Sequence, residues 1–203
     1  MAIIVNNPAI LENAHLLWEK LIHYKNDDVV VVAASKGSAA TSHYLAEKLQ
    51  APWEVISCKE IKHPANPTKT IGSVSSNEVL IHDESSIPCN FIDHQIQLLQ
   101  HSIAADKDFF STIAESHELK YKTVIVVCDY LKNYDSVAAT LRTIKNQYPL
   151  KIIVACISVE PETARKIASS ADEVVFLKME TSFRVGIGYS KRYPPLERRL
   201  QIR

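Results

Sequence analysis

Glycine is scarce in this chain: Gly37, Gly72, Gly186 and Gly188 are the only four among 203 residues, about 2% where about 7% is usual. Few backbone positions can therefore adopt a positive φ or admit a ligand close to the main chain. Long apolar runs are lacking too. The longest strictly apolar run, residues 29–34, is far short of the roughly 18 residues that span a bilayer. No charged amino-terminal region leads into an apolar stretch, so a cytoplasmic location is expected, without export or membrane insertion. Neither sign of charge is in excess, with 23 Lys and Arg against 23 Asp and Glu. With no global field, neither DNA nor a membrane surface is an expected partner. The four cysteines, Cys58, Cys89, Cys128 and Cys156, form no close pair of the kind that holds zinc or makes a redox couple. Reduced, mostly buried thiols are the expectation.

What is present is a globular composition, 46% hydrophobic and 23% charged, which excludes disordered, collagen-like and disulfide-scaffold classes. A chain of this length buries about 70% of its unfolded surface, so a single domain over residues 1–203 is expected. Runs rich in β-branched residues at 29–34, 53–58, 79–82, 123–128, 151–158 and 173–177 read as strands. Helical spacing occurs at 8–24, 38–50, 91–105, 107–117, 136–148 and 161–170, the last opening with Pro161 and Glu162. Strands buried on both faces and alternating with helices predict an α/β fold, a parallel sheet with helices on both faces. Residues 61–76, with Pro64 and Pro67, read as a long loop or hairpin, a flap over about 60–78. A helical insertion over about 88–118 forms a hood or edge.

In such sheets ligands bind beyond the carboxyl ends of the strands, where helix amino termini point. Two junctions are therefore the candidate site: residues 33–38 (AASKGS) and residues 127–136 (VCDYLKNYDS). Residues 33–61, which run from the first junction through AATSHYLAEKLQAPWEV, resemble the strand, pyrophosphate loop, helix and second strand of type I phosphoribosyltransferases in one bacterial branch. Residues 63–74 (HPANPTKTIGSV) resemble that branch's Pro-Asn-Pro loop with Ile-Gly after it. Residues 122–145 resemble its phosphoribosyl-pyrophosphate loop and helix, and residues 171–190 its carboxyl-terminal strand and Val-Gly segment. The resemblance implies a type I phosphoribosyltransferase-like fold in a homodimer. It also implies transfer of ribose 5-phosphate from phosphoribosyl pyrophosphate to a nitrogenous base, in nucleotide metabolism. Mg²⁺ would be held mainly through the substrate, with no direct protein metal site.

On that resemblance Asp129 and Lys36 are the candidate catalytic residues, Asp129 on the ribose and Lys36 on pyrophosphate. Ser35, Gly37 and Ser38 complete the pyrophosphate loop, where a strained peptide bond is implied before Lys36. Lys132, Asn133, Asp135 and Ser136 form the loop for the 5-phosphate. The flap brings Lys62, His63, Asn66 and Lys69, with Lys59, toward the phosphates. The second loop departs from the family pattern: Cys128 replaces the first of two adjacent acids, Tyr130 and Tyr134 stand at glycine positions, and Asp135 adds negative charge. A side chain at a glycine position blocks close approach of phosphate.

Two readings therefore stay open. In the first the chain is an active, Mg²⁺-dependent phosphoribosyltransferase. In the second it is a catalytically inactive module on the same fold that binds a nucleotide, another phosphate ester or a protein partner. There Asp135 caps the helix and Tyr130 fills the vacated pocket. Lesser candidates are a metal cluster at His82, Asp83 and Glu84, zinc at His94 and His101, and the basic tail Lys191, Arg192, Arg198, Arg199 and Arg203 as a contact for RNA or a partner.

Overall fold

The computed structural model describes residues 8–83 and 87–180. The sequence-based expectations for Glu84, Gly186, Gly188, the Val-Gly segment and the basic tail lie outside the described residues. In chain order the elements are α1 (Pro8–Leu21) with a 3₁₀ turn (Ile22–Tyr24), β1 (Val29–Ala33), α2 (Ala39–Leu49), β2 (Trp53–Val55), β3 (Lys59–His63), β4 (Asn66–Val74) and β5 (Val79–Ile81). They continue with α3 (Cys89–Phe110), β6 (Thr123–Leu131), α4 (Asp135–Lys145), β7 (Lys151–Val159), α5 (Pro161–Ala168) and β8 (Glu173–Met179).

Five strands form a parallel sheet in the order β2-β1-β6-β7-β8. Every residue of β1 (VVVVA) is buried, as expected of a strand covered on both sides. Side chains alternate between the two faces. Val29, Val31 and Ala33 pack with Leu17 and Leu21 of α1 and Leu45 and Leu49 of α2. Val30, Val32, Val124 and Val126 pack with Val137, Leu141 and Ile144 of α4 and Ile167 of α5 on the other face. The end of α1 is tied to the sheet by Tyr24, whose hydroxyl donates to Glu173 Oε2 (2.5 Å), while Lys151 Nζ donates to both (2.6 and 2.9 Å).

A second sheet, antiparallel in the order β3-β4-β5, stands beside the first. The strand expected at 79–82 lies here and not in the parallel sheet, because Val74 and Val79 close a short hairpin through their pairing. At Gly72 a Cβ would meet Leu80 O at 2.3 Å, so the close approach of β4 to β5 requires glycine. In place of the two helices expected at 91–105 and 107–117 there is one helix of 22 residues, α3, which ends at Phe110 and leaves 111–117 outside any helix. No proline or glycine interrupts it, and Ala104 and Ala105 favour its continuation. Ile61, Ile71, Ile87, Ile92 and Ile103 join α3 to the antiparallel sheet in a small separate core.

Candidate functional site

Strand β1 has β2 on one side and β6 on the other, so the chain leaves β1 and β6 in opposite directions and their carboxyl ends open a crevice, the usual ligand position in such sheets. The crevice has a volume of about 570 Å³. Ala34, Ser35 and Gly37 line it from β1, Cys128, Asp129, Tyr130, Leu131 and Ser136 from β6 and beyond, and Cys58, Lys59, Glu60 and Lys62 from the hairpin. Both candidate junctions meet here.

Asp129 is half-buried, and Thr41 of α2 donates its hydroxyl to Oδ1 at 2.9 Å. Burial pushes this carboxyl above the usual range, and the bond from Thr41 acts the other way. Thr41 belongs to no motif, and sequence reasoning misses it. Its neighbour position in the family pattern, Cys128, is buried and its thiol is pushed far up by burial, so it stays neutral and cannot supply a second acid.

The first loop closes on itself through two serines. Ser35 N–H donates to Ser38 Oγ (3.2 Å), and Ser38 Oγ donates to Ser35 O (3.0 Å). Lys36 is exposed, with Nζ 4.3 Å from the centre of the Phe109 ring of α3, a cation–π contact. Among the described residues no peptide is cis, and no residue of this loop other than glycine has a positive φ. The strained peptide implied before Lys36 is therefore not seen.

The second loop differs from expectation. Strand β6 continues through Leu131, paired as far as Leu131 with Val159, so Tyr130 belongs to a strand and not to a phosphate loop. It is 45% exposed and lies under Lys132, whose Nζ is 5.4 Å from its ring; it does not fill a vacated pocket. Asp135 does not cap α4. Asn133 does so, its Oδ1 accepting from Ser136 N–H (3.0 Å), while Ser136 Oγ donates to Asn133 O (2.8 Å). Asp135 Oδ1 instead lies 3.6 Å from His82 Nδ1. Tyr134 leaves the crevice altogether and shares a hydrogen bond with Ser170 (2.8 Å).

The hairpin contributes a network centred on Glu60. Its Oε2 accepts from Lys62 and from Thr70 Oγ1 (2.7 Å), and its Oε1 from Asn133 Nδ2 (3.3 Å). Burial alone would raise this carboxyl, but those bonds outweigh it and hold it below its ordinary value. Sequence reasoning does not single out Glu60, although Glu60, Lys62 and Thr70 on paired strands are the available signal. Lys59 is bound to Asp106 (2.9 Å) and Ser102 (2.6 Å), fixing the hairpin to α3. Lys69 pairs with Asp83 (2.5 Å), His63 Nδ1 accepts from Ala65 N–H (3.1 Å), and Asn66 Oδ1 accepts from Thr68. Of the flap candidates Lys59 and Lys62 line the crevice, with Glu60; His63, Asn66 and Lys69 do not and serve the hairpin's own shape. Among the described residues no group of three His, Cys, Asp or Glu could hold a metal ion. His94 and His101 are exposed on α3. No helix of the described residues is long and apolar enough to cross a membrane.

Comparison with known proteins covers most of the chain. The family model described as the phosphoribosyl transferase domain matches residues 2–191. The crystal structure of TT1426 from Thermus thermophilus superposes with a TM-score of 0.70 at 19% identity, covering 87% of this chain and 86% of that one. That of a purine phosphoribosyltransferase from Pyrococcus horikoshii superposes with a TM-score of 0.50 at 18% identity, covering 90% and 93%.

Proposed function

Because this chain belongs to the phosphoribosyl transferase family, we propose that it transfers a ribose 5-phosphate unit from phosphoribosyl pyrophosphate to a nitrogenous base in the crevice between β1 and β6. The observation that carries the proposal is Asp129, a carboxylate on the crevice wall that Thr41 holds in place from a different element. The reaction passes through a ribose carrying positive charge as pyrophosphate leaves. A fixed carboxylate next to that ring stabilises the developing charge and accepts from the ribose hydroxyls.

The first loop receives the leaving group. Gly37 lines the crevice, and the N–H groups of Lys36 and Gly37 have no protein acceptor among the described residues, so they are available to an anion. Lys36 leaves the Phe109 ring for a phosphate, a stronger partner for an ammonium. At the second loop Lys132 and Ser136 meet the 5-phosphate, and His82, when protonated, offsets the charge of Asp135 beside it. Lys62 and the hairpin cover the open side.

The donor set suits Mg²⁺ only as a companion of the substrate. Mg²⁺ takes one or two carboxylates together with phosphate oxygens. Asp129 is available, whereas Glu60 is committed to Lys62, Thr70 and Asn133. Bound with the donor, Mg²⁺ would neutralise charge on the departing pyrophosphate.

The test is the melting temperature with phosphoribosyl pyrophosphate and Mg²⁺, beside pyrophosphate with Mg²⁺ and Mg²⁺ alone. Donor at a hundred times its dissociation constant adds about 2.7 kcal/mol, roughly 5 to 10 °C in a domain of this length. A shift specific to the donor is expected, followed by base-dependent pyrophosphate release in a screen of acceptors. No shift at millimolar donor would sink the proposal and leave the crevice to another phosphate ester or a protein partner.

A further inference from the structure

A second cavity, of about 140 Å³, lies on the edge of the parallel sheet and shares no lining residue with the crevice. Its floor is Glu54, in the middle of edge strand β2. The flanking Trp53 and Val55 join the core beneath α1 and α2, so alternation turns Glu54 to the opposite face, toward α4. Glu54 is only 7% exposed, and its Oε1 is buried with no hydrogen-bond partner. Val55 and Ile56 line it beside Glu54, and the other walls are polar, among them Asn77, His117, Thr143 and Gln147, with Lys107 from the end of α3.

A buried carboxyl oxygen without a partner is uncommon in a folded protein, and this one faces a polar space. At about 30 Å³ per water, the cavity holds the equivalent of four or five waters, more than one bridging water needs. An anion is disfavoured by Glu54, and the described residues offer no metal-binding group of three. The charges present are of opposite sign and set apart. Lys107 is near enough to favour the carboxylate of Glu54, yet the two form no ion pair. Glu54 invites a positive group, Lys107 a negative one, and both line the same cavity.

We propose that this cavity is a binding site for a small zwitterion of the α-amino-acid class, its ammonium on Glu54 and its carboxylate on Lys107. Asn77 and Gln147 suit a short polar side chain, while the Thr143 hydroxyl is already bonded to Ser75 and to Ala139 O. Burial pushes the Glu54 carboxyl up to about 7, a shift that the backbone N–H of His117 and the charge of Lys107 reduce. An arriving ammonium favours the carboxylate, so binding strengthens as pH rises from 6 to 8. The titratable groups around it are Lys107 and His117; Glu78 and Arg142 nearby are occupied with each other.

The experiment is calorimetric titration of the full chain with L-serine, glycine, ethylamine and acetate. Serine or glycine is expected to bind saturably at pH 8, several-fold more weakly at pH 6, with ethylamine and acetate each weaker by tenfold or more. Glu54→Gln and the exposed Lys107→Met are each expected to weaken binding at least tenfold, and Glu54→Gln to abolish the pH dependence. Glu54→Gln removes a buried charge and should melt no lower than the parent, so lost binding is not lost fold. The proposal is overturned if neither amino acid binds at tens of millimolar, or if ethylamine binds as well as serine. Unchanged affinity in both variants, or a pH dependence that persists in Glu54→Gln, overturns it equally. None of these outcomes depends on phosphoribosyl pyrophosphate binding in the crevice.

Discussion

The loops that follow β1 and β6 occupy equivalent places at the carboxyl ends of neighbouring strands, yet they use their hydrogen-bonding groups differently. In the first, Ser35 and Ser38 bond to each other and leave the N–H groups of Lys36 and Gly37 without a protein acceptor among the described residues. In the second, Asn133 and Ser136 consume the amide that begins α4, and the strand runs on through Tyr130 into the space a phosphate cradle would need. The first loop is organised for an anion that comes from outside. The second is organised first for its own helix, so donor affinity should rest mainly on the first loop and on Asp129 between them.

Asp129→Asn tests that division most severely. Asparagine still accepts from Thr41, so the fold and the loop positions are kept while the charge is lost. Removing a preorganised group from the transition state costs about 3 kcal/mol, a fall of roughly 10² to 10³ in turnover, read as base-dependent pyrophosphate release. Undiminished release would remove Asp129 from the chemistry and with it the contrast between the loops.

Lys36→Met and Gly37→Ala probe the first loop by separate routes. Losing the charge of Lys36 should weaken donor binding by about tenfold or more, since a bond to a charged group contributes about 1.5 to 3 kcal/mol. A Cβ at Gly37 meets nothing closer than Ser35 Oγ at 3.6 Å, and its φ is not positive. Gly37→Ala is therefore expected to leave stability unchanged or raise it by about 0.4 to 1 kcal/mol, while donor binding falls. A variant as tight as the parent would show that the loop backbone is not approached by ligand.

Asn133→Ala removes the cap of α4 at a cost of about 1 kcal/mol, about 2 to 4 °C by melting. Because it also releases the Ser136 amide, donor binding should hold or improve, the opposite of the effect at Gly37. A loss of binding in proportion to the loss at Lys36 would mean that both loops carry the phosphates equally.

The α/β alternation, five of the strands and their sheet, and the two junctions were legible in residues 29–34, 123–128 and 151–158, where β-branched runs leave no other reading. Asp129 was singled out through the resemblance alone, and it lies within β6, two residues before the strand ends. Three features were not, for physical reasons. Thr41 acts across 88 positions of sequence, and such pairing leaves no local pattern. Glu60 gains its place only when β3 and β4 pair with a register shift at Ile61 and Lys62. Tyr130 and Leu131 are good strand formers, so β6 overran the loop that the resemblance had implied, and Asn133 rather than Asp135 took the cap because it stands three residues before Ser136, the usual spacing of such a bond.

The smallest effect discriminates most finely, because it touches only how Asp129 is held. Its carboxyl is raised by burial and drawn back by Thr41, so Thr41→Val should raise it further. The carboxylate is the form that serves the ribose, and the acid limb of kcat/KM should therefore move to higher pH in the variant while the plateau changes little. Stability moves in the matching direction. A carboxyl whose folded pKa lies above its unfolded value binds its proton more tightly when folded, so its contribution is present at low pH and is lost as pH rises from about 4 through the folded value. Thr41→Val should widen that loss, and melting curves above and below the window should diverge more than those of the parent. An acid limb that stays in place would mean that the group governing it is not Asp129, and the charge on the ribose side of the crevice would then have to come from Glu60, released from Lys62.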